Sequence, residues 1–149
     1  MSSAWPDTGT LTTIASVIMA FAAAMLFFRL QREHSMAERG ERNWIPWSDR
    51  LLFGAGGISL VFVILPIVIF PPIWAVNRVL PPAGSAASVV LVLGYVPGIF
   101  AHYRYFFGIG EFRQTPRNNP EPPEGLIVIV TCAVAVVAAA VTMYFHTTA

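Results

Sequence analysis

The chain has 149 residues, 56% of them hydrophobic and only 11% charged, with a mean hydropathy of +0.64. A soluble domain carries about 25% charged residues, so the deficit points to lipid as the solvent, and a net charge of +1 offers nothing to nucleic acid or an acidic partner. The single cysteine, Cys132, excludes an internal disulfide and a cysteine-built metal cluster.

The charges are segregated. No Asp, Glu, Lys or Arg occurs in 8–28, 51–77, 79–103 or 125–149. A helix needs roughly 20 mainly apolar residues to cross a hydrocarbon core about 30 Å thick, and each gap is long enough to supply one. An all-α bundle of four transmembrane helices follows, since a lipid-exposed backbone must satisfy its hydrogen bonds within its own segment. A membrane barrel is excluded because no segment alternates apolar and polar residues. We expect one membrane domain over residues 1–149, with spans at about 11–30, 51–70, 85–106 and 126–145. The N-terminus lacks the basic start and the small-residue cleavage site of a signal peptide, so the first span is expected to be kept.

Residues 1–10 are polar and short, and Thr8 or Thr10 is the expected cap of the first helix. In span one, Ser16, Ala20 and Ala24 lie four apart and form a stripe of small residues, the pattern by which membrane helices approach closely. Packing against the chain's own helices is the simpler use of this stripe, and dimerisation the alternative. The segment 29–50 holds five of the nine basic residues, all arginine. It should extend the first helix briefly and break near Gly40, with Glu38 and Arg42 at i,i+4 spacing. Trp44, Pro46 and Trp47 then return the chain to the interface, where indole rings prefer to sit.

Span two carries Pro66, which removes a backbone bond and should kink it. The run PPIWAVNRVLPP reads as a short interfacial segment. In span three, Gly94 and Gly98 form a GxxxG close-approach pair around Pro97. The loop 108–125 is rich in Gly, Pro and Asn and should be irregular. Pro122 and Pro123 stand at or near the first turn of span four, with Glu121 or Glu124 near the positive end of its dipole.

Orientation follows from arginine. With four spans, the loops 29–50 and 104–124 share a side and together carry eight basic residues, whereas Arg78 stands alone on the other. The positive-inside rule puts both loops in the cytoplasm and both termini outside. Small size and composition suggest a bacterial-type inner membrane.

Chemistry is sparsely signalled. The middles of the spans hold no ionisable acid or base, which counts against a proton-coupled carrier or pump. His34, His102 and His146 do not lie at matching depths for a haem, and each reads as an interfacial residue bonded to headgroup or backbone. No cofactor or metal motif is present. The nearest thing to a site is His102 with Arg104, Arg113 and Arg117, candidate contacts for an anionic lipid or an acidic partner, because arginine forks match phosphate. The simpler reading of that region is a solvated loop whose charge sets topology. By elimination, we expect a non-catalytic accessory or interaction subunit of a larger membrane complex, in contact with membrane lipids and with a protein partner or a second copy. A homo-oligomeric channel or carrier for a small solute, and a lipid-modifying enzyme using the His102 to Arg117 region, are the alternatives.

Overall fold

A computed structural model describes residues 6–39, 46–72, 77–103 and 121–148. These form four helices, each long and apolar enough to cross a membrane. They are α1 (Thr8–Glu38), α2 (Asp49–Ile69), α3 (Leu80–His102) and α4 (Pro122–Thr148). Among the described residues there is no strand.

Helix α1 starts at a side-chain cap, though not the expected threonine. Asp7 stands one residue outside the helix and its Oδ1 accepts the Thr10 amide at 2.6 Å. That donation holds the Asp7 carboxyl below its ordinary value of 3.8. At 1.5 Å per residue, the 31 residues of α1 are about 46 Å long, well beyond a hydrocarbon core of about 30 Å. The excess is an arm whose Gln31, Arg32, His34 and Ser35 are exposed. It ends at Glu38, as the nearby Gly40 suggested, and Glu38 pairs with His34 at 3.3 Å. Arg42, its expected partner, lies outside the described residues, as do Trp5, Trp44 and Trp74.

Helix α2 is α-helical over Asp49–Ser59 and continues with wider π-helical turns over Leu60–Ile69, ending in a bond from the Phe70 amide to the Leu65 carbonyl at 2.8 Å. Pro66 has no N–H to give and its ring would crowd the carbonyl of Phe62 four residues back, and the widened turns accommodate both. Helix α3 begins earlier than expected. Pro81 and Pro82 occupy its first turn, where a missing N–H costs nothing. The second proline pair of PPIWAVNRVLPP therefore belongs to the first turn of α3 rather than to a separate short segment. Helix α4 opens on Pro122 and Pro123 in the same way.

Helix α3 is the hub, packing on α1, α2 and α4, whereas the principal neighbour of α4 is α3. The main core joins Ile18 and Ala22, Leu51 and Leu52, Leu91 and Tyr95, and Val128. A smaller one near the start of α1 joins Leu11, Ala15 and Val63. Both glycines of the α3 pair face close neighbours. A Cβ added at Gly94 would fall inside the side chain of Thr131 on α4, and one at Gly98 would lie 2.7 Å from Ser48 Cβ. The α1 stripe is placed differently. Ser16, Ala20 and Ala24 are all exposed. The intrachain face of α1 is Leu11, Ala15, Ile18 and Ala22, a neighbouring row of the helix whose larger members fill the core.

A candidate site of buried polar residues at one end of the bundle

Because successive helices alternate in direction, the end of α1, the start of α2, the end of α3 and the start of α4 meet at one end of the bundle. Each contributes a polar side chain, and the side chains converge. Glu124, in the first turn of α4, is fully buried, and His102, at the last turn of α3, is 3% exposed. The Glu124 Oε2 lies 2.9 Å from His102 Nδ1. Its Oε1 accepts two bonds from Ser48, from the amide at 2.9 Å and from the hydroxyl at 3.1 Å. With the carboxylate ionised it can only accept, and the bond then runs from the His102 Nδ1–H to Oε2.

Ser48 is the residue before α2, so Glu124 caps the N-terminus of α2 from another helix. It lies at two positive dipole ends at once, its own and that of α2, where a carboxylate is favoured. The Gly98 approach explains how this is possible: without a side chain at 98, the Ser48 backbone comes close enough for Glu124 to reach.

A second group sits beside the first. Asp49, buried at the start of α2, is paired with Arg29 of α1 through Nε, at 3.1 Å to Oδ2 and 3.5 Å to Oδ1. The same guanidinium donates from Nη1 to the Tyr103 hydroxyl at 3.0 Å, and Arg32 one turn further along α1 donates to that hydroxyl too. Both guanidinium carbons lie over the Tyr103 ring, at 6.0 Å for Arg29 and 5.3 Å for Arg32. The Tyr103 ring in turn meets the His102 ring edge-on at 5.1 Å, joining the two groups. Glu121 is buried nearby in sequence, one residue before α4.

This arrangement corrects the expectation for His102. It is neither a headgroup contact nor part of a solvated loop, but a buried partner of a carboxylate. Arg104, Arg113 and Arg117 lie outside the described residues. Ser48, Asp49, Glu124, Arg29 and Tyr103 were not singled out as site residues from sequence, because each stands at the edge of an apolar run, where a polar residue normally meets water. One signal was present. Arg29, Asp49, His102 and Glu124 all lie at the same predicted membrane depth, at the ends that the two arginine loops connect. His34 is on the exposed arm and His146 is near the far end of α4. Among the described residues, no three His, Cys, Asp or Glu side chains converge as a metal would require.

Helices and cluster together define a helical integral membrane protein with an internally paired polar end. No family model, no curated protein and no solved structure matches the chain.

Proposed function

We propose that this protein is a non-catalytic membrane subunit, a four-helix module that holds a fixed shape for a partner in the bilayer. One observation carries the proposal: the groups best suited to chemistry are engaged with one another. Both oxygens of Glu124 are engaged by Ser48 and His102, and Asp49 is engaged by Arg29. Such a network rigidifies the end of a bundle and selects one packing. The outer face of α4 supports the same reading, since Ile129 and Val137 are more than half exposed and available to a neighbouring span. The eight-to-one arginine split supports an arrangement with both termini outside, in a bacterial-type inner membrane. Reporter fusions at the two termini test that orientation.

Native mass spectrometry of the protein extracted gently from its own membrane tests the role. A stoichiometric larger protein is the expected companion. A bare chain or a closed homo-oligomer would overturn the proposal, and the oligomer would return attention to a channel.

A lipid-modifying enzyme is the second reading, favoured by the His102–Glu124 pair itself. A carboxylate on Nδ1 fixes the ring's orientation and leaves Nε2 as the acceptor, as in general-base catalysis. Under that reading, His102→Gln abolishes a lipid turnover that Ser16→Ala, on the exposed stripe, leaves intact.

A further inference from the structure

Since α4 packs chiefly on α3, a groove is left between α2 and α4, floored by α3, with a volume of about 710 Å³. Small side chains create it. Gly54 on α2, Ala83 and Ala87 on α3, and Ala139 and Ala140 on α4 line the space where larger residues would close it. Its walls are apolar for nearly their whole length, with one exception at one end. There Arg50 and Trp47 form the mouth, the guanidinium lying 4.3 Å from the indole centroid. Arg50 is exposed, and among the described residues it has no ion-pair partner.

The dimensions match one leaflet. From Arg50 to Phe62 the α2 wall rises through twelve residue steps, about 18 Å at 1.5 Å per step, and half a hydrocarbon core is about 15 Å. A cation held at headgroup level by an interfacial tryptophan, above an apolar slot one leaflet deep, has the chemistry of a phospholipid receptor. We infer that the α2–α4 groove is a binding site for an anionic phospholipid, with an acyl chain along Gly54 and Ala87 and the phosphate on Arg50. Arginine suits that role because its planar fork bonds phosphate oxygens in pairs. The site does not depend on the proposed protein partner, which would use the outer face of α4. It also relocates the anionic-lipid contact from His102, which Glu124 occupies, to a guanidinium that has no ion-pair partner among the described residues.

The test uses the whole chain reconstituted in vesicles of equal phosphatidylcholine and phosphatidylglycerol, extracted in a mild non-ionic detergent and weighed by native mass spectrometry. One retained lipid per chain is expected, with phosphatidylglycerol favoured roughly fivefold, the worth of one arginine near a charged surface. Arg50→Gln should bring the two lipids to parity without lowering the total retained. Gly54→Phe should expel both, since a Cβ at 54 meets only the tip of Leu91, at 3.4 Å, and the ring must extend into the groove. If that variant fails to fold, Ala140→Trp, at an exposed position on the opposite wall, gives the same reading. Retention in the vesicle ratio, a preference that survives Arg50→Gln, or a second copy of the chain in place of lipid would each overturn the inference.

Discussion

Removing the Glu124 carboxylate is the most informative single change to this protein. Glu124→Ala leaves the Ser48 amide, the Ser48 hydroxyl and His102 Nδ1 without their acceptor in a buried setting. Two scales bracket the cost. Bonds between membrane helices average about 0.6 kcal/mol each, so three give about 2 kcal/mol. Breaking a buried charged pair in a water-soluble protein costs about 3–5 kcal/mol. The cluster lies at the end of the bundle and Glu124 is fully buried, so a loss of about 2–4 kcal/mol is expected. Glu124→Gln retains an oxygen for Ser48 while presenting His102 with an amide, and should lose about half as much. The assay is reversible unfolding in detergent micelles, with a double-mutant cycle of Glu124→Ala against His102→Ala. Residues in direct contact couple by about 0.5–3 kcal/mol, and here the coupling should lie in the upper half of that range. A coupling near zero, or a Glu124→Ala variant within about 0.5 kcal/mol of the native protein, the ordinary scatter of surface substitutions, would refute the view that this carboxylate locks α2, α3 and α4 together.

Three further outcomes are expected. Gly94→Ala should destabilise by about 1–3 kcal/mol, the usual cost of overpacking; Thr131→Gly should restore it and Thr131→Ala should not, because the Thr131 Cβ alone lies 2.7 Å from the added methyl. Arg29→Lys should lower the unfolding temperature more than a surface substitution does, since a single ammonium cannot serve both Asp49 and the Tyr103 hydroxyl as the guanidinium does. Asp7 should titrate below its ordinary carboxyl value in an NMR pH series. Its contribution to the start of α1 is then complete above the unfolded value of 3.8 and lost as the pH falls through the depressed folded one. Titration at or above 3.8 would remove Asp7 as the cap.

The four spans were legible because insertion into lipid is a local property. A run of apolar residues without charge is a membrane helix whatever it packs against, so the gaps 8–28, 51–77, 79–103 and 125–149 were enough. The proline positions were also local, and Pro122 and Pro123 stand in the first turn where their missing N–H groups placed them. The Pro81–Pro82 pair obeys the same rule. It was grouped instead with the short interfacial segment that precedes it.

Which small residues face inward was not legible in the same way. Ser16, Ala20 and Ala24 form as regular a row as Gly94 and Gly98, yet the first row is exposed and the second is pressed against Thr131 and Ser48. Spacing defines a row on a helix, but only the neighbouring helices decide which row is covered. In lipid both rows are apolar enough to go either way, since hydrocarbon is as good a surrounding for alanine as another helix is.

The polar cluster shows the same division most sharply. Composition and charge spacing by themselves determined a membrane protein of four helices and the end of the bundle at which arginine collects, because both depend on the solvent each segment meets. That Glu124 would reach His102, 22 residues away, and Ser48, 76 residues away, was decided only by tertiary structure. A charge at the edge of a span is stable in water or beside a buried partner. Which applies depends on whether a neighbouring helix ends at the same depth with a donor to offer, and here α2 and α3 both do.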